Sequence, residues 1–73
     1  MTDTAPWTIG RLLTWTADYL RTHGSDSPRL DAEVLLAHAC GCQRIDLYTR
    51  FNDDPGDDVR TAFREMVRRR ADA

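Results

Sequence analysis

The sequence contains no lysine, only two cysteines and three prolines, and no apolar run longer than four residues. The longest run, Val34 to Ala37, is far shorter than the roughly 20 residues that cross a bilayer, so no membrane span is predicted. A chain of 73 residues has room for one small core, without a second domain or a lidded cavity. Glycine-rich phosphate loops and nucleophile motifs are also missing, so we expect a domain that binds and does not catalyse a reaction by itself.

Charge is distributed unevenly along the chain. All ten basic residues are arginines, and the formal net charge is −2. Residues 60–73 hold five arginines and two acids, whereas residues 1–59 hold five arginines and ten acids, so the C-terminal segment is a basic patch on an acidic domain. Neither a basic residue nor an apolar stretch precedes Arg11, so we expect no secretory leader and a cytoplasmic location.

Helical periodicity dominates the sequence. Glycines and prolines fall mostly between periodic segments, and no stretch of six residues alternates between apolar and polar side chains. The sequence therefore predicts an all-α fold, a small monomeric bundle of four to five helices. The four recognisable segments are Thr8 to His23, Ser27 to Cys40, Gln43 to Phe51 and Asp54 to about Ala71.

Capping residues mark the starts of three of these helices. Thr8 is the predicted N-cap of the first helix, with Gly24 ending it in a left-handed conformation. Ser27 is predicted to accept a hydrogen bond from a first-turn amide, with Pro28 at the first helical position, where an N–H is not needed. Asp54, which also precedes a proline, is predicted to start the last helix in the same way.

The apolar positions predict how the helices pack. The first helix has a wide apolar stripe, flanked by Trp15, and Trp7 is placed to pack on Leu12 as a hydrophobic staple. The second helix has apolar side chains, including Leu30 and Val34, in nearly every direction, which predicts a central helix surrounded by the others. The predicted buried face of the last helix consists of Val59, Ala62, Phe63, Met66 and Val67.

The string His38, Cys40 and Cys42 does not have the spacing of a metal site. A structural zinc site needs four ligands from two separate pairs, and the other histidine, His23, lies across a turn. We therefore expect no metal, with Cys40 as a small core residue and Cys42 as a free thiol.

A stripe of arginines on the last helix is the candidate contact surface for a partner. Arg60, Arg64 and Arg68 recur every four residues beside Arg69. Arg70 falls on the predicted buried face, where a charge must snorkel or find a partner, so either the helix frays before Arg70 or this end contacts something that the 73 residues do not contain. The stripe is either a solvated face or a docking surface. Direct contact with nucleic acid is not expected, because the domain is acidic overall and shows no recognition helix.

Two resemblances suggest a function. Asp26-Ser27 at the start of a helix is similar to the attachment point of acyl and peptidyl carrier proteins, although those proteins follow the serine with an apolar residue and this chain has Pro28. The stretch from Ser27 to His38, S-P-R-L-D-A-E-V-L-L-A-H, closely resembles the S-P-R-x-D-A-E-x-L-L-x-H segment of the PrmC/HemK family. The run from Val67 to Asp72 also resembles the end of that family's N-terminal helical domain.

The second resemblance implies a specific biological role. Members of the PrmC/HemK family transfer a methyl group from S-adenosylmethionine to the glutamine of the GGQ motif in peptide chain release factors. The resemblance implies that residues 1–73 are the N-terminal helical substrate-recognition domain, and that the catalytic N-P-P-Y motif and the cofactor loop belong to a following domain. No catalytic or cofactor residue is therefore assigned here. The implied partners are the release factor and the enzyme's own C-terminal catalytic domain.

The residues of the matching segment also have a structural interpretation. Arg29 and Glu33 form an i, i+4 pair of the kind that stabilises a helix by a few tenths of a kcal/mol. Asp31 in the first turn and His38 in the last complement the helix dipole. The motif residues Ser27, Pro28, Arg29, Asp31, Glu33 and His38 are therefore expected to serve the fold first.

Overall fold

A computed structural model describes residues 7–72 and contains four helices in this range. They are α1 (Ile9–Thr22), α2 (Pro28–Cys40), α3 (Arg44–Thr49) and α4 (Asp57–Asp72). No strand occurs among these residues, so the predicted all-α bundle is confirmed. The first six residues, on which the expectation about a leader partly rests, lie outside the described range. No helix within it is long and apolar enough to cross a membrane.

The predicted ends of α1 are confirmed. The Thr8 hydroxyl accepts a hydrogen bond from the Arg11 amide at 3.2 Å, and Gly24 follows the helix with φ +92°. The linker after α3 supplies further partners for the first turn, because the Gly10 amide donates to the Phe51 carbonyl at 2.9 Å. A side chain at position 10 would collide with the Phe51 ring, which explains a glycine inside this helix.

The core lies where α1, α2 and α4 pack together, and α3 packs against α1 and α2. Ten apolar residues are at most 8% exposed and form one cluster. They are Ile9, Leu12, Leu13, Leu20, Ala32, Leu36, Ala37, Leu47, Phe63 and Val67. The core of this small domain therefore draws on every helix, and each helix depends on the others for burial.

The helix α2 begins and ends where the sequence predicts, but it is capped differently. Pro28 occupies the first helical position and the last helical residue is Cys40, both as predicted, and Gly41 caps the helix with φ +69°. The Ser27 side chain makes no capping hydrogen bond, so that prediction is wrong. Ser27 has ψ 66°, whereas the capping Thr8 has ψ 165°, and at this backbone angle the hydroxyl does not reach the first-turn amides.

The prediction that α2 is buried on all sides is wrong. It contacts each of the other helices and is central in that sense. Its Leu36 is fully buried, but Leu30 and Val34 are 44% and 49% exposed. Three neighbours, one of them the six-residue α3, do not surround a helix, so apolar side chains remain on its outer face.

The start and one contact of α4 also differ from prediction. The helix begins at Asp57, three residues after the predicted cap, because Gly56 has φ +98° and cannot belong to a right-handed helix. The Asp54 carboxylate accepts a hydrogen bond from the Gly56 amide at 2.8 Å and holds a turn. Phe63 is buried as predicted, whereas Ala62 is exposed.

Candidate partner-binding surface

Ion pairs interrupt the arginine stripe predicted on α4. The Arg60 guanidinium contacts the carboxylates of Asp54 and Asp57, and its side chain is only 21% exposed. Arg68 lies 2.6 Å from a carboxylate oxygen of Glu65, one turn earlier. Because these charges are compensated locally, the stripe is not a continuous positive surface.

The other three arginines of α4 have different surroundings. Arg70 is 51% exposed, so the prediction that it lies on the buried face is wrong. Its guanidinium lies 3.2 Å from the Asp31 carboxylate of α2, and the helix does not fray before it. Within residues 7–72, neither Arg64 nor Arg69 has an ion pair. Arg64 lines a groove between α1 and α4, and Arg69 does not.

This α1/α4 groove is open to solvent and has a volume of about 210 Å³. Its lining is mostly apolar and includes both tryptophans of the chain. The apolar residues of the lining are Trp7, Leu12, Trp15, Phe63 and Val67, and the polar residues are Thr16, Arg60 and Arg64. Trp7 is 40% exposed and Trp15 is 51% exposed, so large aromatic surfaces border a buried floor.

Neighbouring side chains hold the two tryptophans in place. Trp15 stacks on Tyr19, with ring centroids 5.3 Å apart and planes inclined by 9°. The Arg11 guanidinium lies 4.6 Å from the centroid of the Trp7 ring, within the range of a cation–π contact. The aromatic edge of the groove is therefore pre-organised. The sequence places Trp15 on the flank of α1 but does not reveal the groove, which forms only when α4 packs against α1.

The groove has one unusual polar residue, Thr16. Its side chain is fully buried, and its hydroxyl has no hydrogen-bond partner among the described residues. An unpaired buried hydroxyl costs about 1–3 kcal/mol. The groove lining therefore includes a polar group that destabilises the free domain.

Replacing Thr16 by valine should stabilise the protein. We expect Thr16→Val to raise the free energy of unfolding by about 1 kcal/mol, because valine keeps the shape and removes the unpaired hydroxyl. The change should appear as a rise of about 4–8 °C in Tm by circular dichroism. Thr14→Val is the control. Thr14 is exposed, and its hydroxyl already has a partner, because it donates to the Gly10 carbonyl at 3.1 Å. An equal or lower Tm for Thr16→Val would contradict this account.

A second cluster of polar residues surrounds Glu33 and joins α2 to α3. The Glu33 side chain is only 6% exposed and accepts hydrogen bonds from Arg29 at 3.1 Å, from Arg44 at 3.1 Å and from the Tyr48 hydroxyl. The predicted i, i+4 pair of Arg29 and Glu33 is confirmed, but the sequence gives no indication that Glu33 is buried. Burial of this carboxyl opposes its ionisation, but hydrogen bonds from Tyr48 and the two arginines outweigh it and lower the pKa of Glu33.

Tyr48 and Arg44 were not identified from the sequence, although one signal was available. A carboxylate on a helix with apolar residues in every direction needs cationic or hydroxyl partners wherever it is buried. The nearest candidates outside α2 lie on the following short helix, where Arg44 and Tyr48 are four residues apart. The cluster connects α2 to α3 through hydrogen bonds to both carboxylate oxygens of Glu33.

Comparison with known proteins identifies the family. The profile of the PrmC N-terminal domain matches residues 11–73, which is most of the chain. The chain belongs to the PrmC N-terminal domain family. This result selects the second of the two resemblances in the sequence and leaves the carrier-protein alternative without support.

Curated relatives of this PrmC N-terminal domain carry one name. The release factor glutamine methyltransferase of Rhodopirellula baltica is 64% identical over 67 residues, which cover 92% of this chain and 23% of the relative. The Geobacter sulfurreducens protein of the same name is 40% identical over 65 residues, which cover 89% of this chain and 23% of that protein. The chain thus spans about a quarter of the length of the relatives it matches. No solved structure matches it.

The motif residues of the PrmC N-terminal domain stabilise helix contacts. Asp31 accepts a hydrogen bond from the Ser25 hydroxyl at 2.6 Å and pairs with Arg70, so it ties the start of α2 to the end of α4. Pro28 starts α2, and His38 is exposed in its last turn. Asp31 and Glu33 therefore connect helices, whereas Ser27 makes no capping hydrogen bond and His38 is exposed, so the structural role expected of the whole motif stays a prediction.

The two cysteines are both free and partly buried against the core. Burial raises the pKa of the Cys40 thiol, and the neighbouring Cys42 raises it further, so the thiolate form of Cys40 is disfavoured. Among residues 7–72 of the PrmC N-terminal domain, no group of three His, Cys, Asp or Glu residues could hold a metal ion.

Proposed function

We propose that this chain is the release-factor-recognition domain of an S-adenosylmethionine-dependent methyltransferase that methylates the glutamine of the GGQ motif. The observation that carries the proposal is the 64% identity over 67 residues with a release factor glutamine methyltransferase. The helical fold and the apolar groove, which is open to a partner, agree with a recognition role. Residues 1–73 thus form the N-terminal domain, and the catalytic domain follows it in the complete protein.

Methyl transfer itself belongs to residues outside this chain. The sequence carries neither the N-P-P-Y motif nor the glycine-rich cofactor loop that the family resemblance associates with catalysis. This domain increases the time that the substrate protein spends on the enzyme, and it orients the substrate protein. Such contacts raise kcat/KM for the intact protein and have no effect on a short substrate that cannot reach them.

A competition assay tests this role. The purified 73-residue chain is added in excess to the complete methyltransferase, and methylation is measured with two substrates. The chain should inhibit methylation of the intact release factor, because it occupies the surface of the release factor to which the enzyme's own N-terminal domain binds. It should not inhibit methylation of a short GGQ peptide, which serves as the internal control.

Two outcomes would contradict the proposal. Equal inhibition of both substrates would show that the chain acts on the catalytic domain and not on the release factor. Absence of inhibition at concentrations well above the KM for the release factor would show that the chain does not recognise it.

A further inference from the structure

We infer that the α1/α4 groove is the surface on which the release factor docks, an inference that rests on the function proposed above. The occupant is a segment of that protein, outside its glutamine-bearing loop, with an apolar side chain that enters the groove and a neighbouring carboxylate that pairs with Arg64. The proposed docking site is therefore this groove, with its two tryptophans and Arg64, and not the full arginine stripe of α4.

The apolar part of the argument rests on exposure. Trp7 and Trp15 border the groove with 40% and 51% of their surface accessible, whereas Phe63 and Val67 in its lining are 2% and 3% exposed. Wide aromatic surface beside a buried floor is typical of protein-binding hot spots, where tryptophan and arginine are the most enriched residue types. An apolar side chain placed there would cover exposed aromatic surface.

Charge decides the chemistry of the occupant. Arg60 and Arg64 both line the groove, but Asp54 and Asp57 already compensate Arg60. Arg64 has no ion pair within residues 7–72, so the groove offers one uncompensated positive charge. A single guanidinium beside an apolar groove suits one carboxylate on a protein segment. A nucleic acid requires a track of several cations along its backbone, which this surface lacks.

The two tryptophans allow the groove to be observed directly. They are the only tryptophans in the chain, so the two indole N–H signals of the ¹⁵N-labelled protein report on this surface. Addition of unlabelled release factor should shift or broaden the Trp15 indole signal at the lowest concentrations that give any change. A uridine oligonucleotide at the same concentrations should leave both signals unchanged.

The outcomes separate this inference from the proposed function. Binding that perturbs backbone signals and leaves both indole signals unchanged would overturn the assignment of the groove as the docking surface. The proposed recognition role would still stand. No perturbation anywhere by the release factor would overturn both. An indole shift caused by the oligonucleotide, or by concentrating the chain alone, would assign the groove to nucleic acid or to a second copy and would also overturn the inference.

Substitutions in the complete methyltransferase provide the second test. Arg64→Glu and Trp15→Ala should each lower kcat/KM for the intact release factor about fivefold or more, with less than a twofold change for a short GGQ peptide. Arg69→Glu makes the same charge change on the same helix outside the groove and should cost distinctly less than Arg64→Glu. Equal losses for Arg64→Glu and Arg69→Glu would indicate that the whole arginine stripe, and not the groove, is the docking surface. Melting curves confirm that each variant is folded.

Discussion

Leu36→Ala is expected to lower the free energy of unfolding by about 2–5 kcal/mol. Leu36 is fully buried on α2, the helix that contacts all three others, so its removal leaves a cavity that four short helices cannot easily close. Domains of this size are commonly stable by little more than about 5 kcal/mol, so a loss near the upper end of that range leaves the variant partly unfolded at ordinary temperature. Urea denaturation followed by circular dichroism at 222 nm measures the change.

Val34→Ala is the matched control on the same helix. Sequence periodicity treats Val34 and Leu36 as equivalent core positions, but Val34 is 49% exposed and loses little packing when it is shortened. We expect a change below about 1 kcal/mol, in line with ordinary surface substitutions. Equal losses for the two variants would mean that α2 is surrounded by protein on all sides, as the sequence alone suggests.

The helix ends that the sequence predicts correctly are marked by short-range chemistry. The Thr8 hydroxyl, the ring of Pro28 and the free backbone of Gly41 each act within one turn, so their effect does not depend on the rest of the fold. The predicted start of α4 is wrong, and the cause is again chemistry within one turn. Asp54 and Pro55 could open a helix, but Gly56 directly after them adopts φ +98° and makes the segment a turn.

Burial is harder to predict, because it depends on how many neighbours a helix has. The apolar face of α1 is predicted correctly, since a surface helix needs only one buried side. For α2, periodicity gives no indication that Val34 faces solvent or that Glu33 faces α3. Those exposures follow from the short α3, which covers one side of α2 and leaves another open.

The candidate site was predicted only in part. The sequence identifies the arginines of α4, and among residues 7–72 the structure shows no ion pair for Arg64, which lines the mostly apolar groove. Compensation of Arg60 by Asp54 depends on the turn before α4, where the sequence predicts the start of a helix. The groove requires the packing of two helices about fifty residues apart in sequence, and no local pattern encodes that contact.

Glu33→Gln is expected to lower the free energy of unfolding by about 1.5–3 kcal/mol at pH 7, the range for hydrogen bonds to a charged group. Glutamine keeps the shape of the side chain but loses the charge that Arg29 and Arg44 contact, and one of its two head-group positions becomes a donor. Tyr48 and the two arginines then compete for a single acceptor oxygen. Urea denaturation at pH 7 measures the loss.

The same cluster predicts how stability depends on pH. Because the pKa of Glu33 is lowered in the folded protein, its ionised form contributes stability that is fully present above the usual pKa of the carboxyl and is lost as pH falls through the lowered value. The difference in stability between wild type and Glu33→Gln should therefore shrink towards acid pH. Asp18→Asn is the control, since the Asp18–Arg21 pair is about two-thirds exposed on both sides and contributes about 0–1 kcal/mol. A difference between wild type and Glu33→Gln that stays constant with pH would show that packing, and not the charge, accounts for the effect of Glu33.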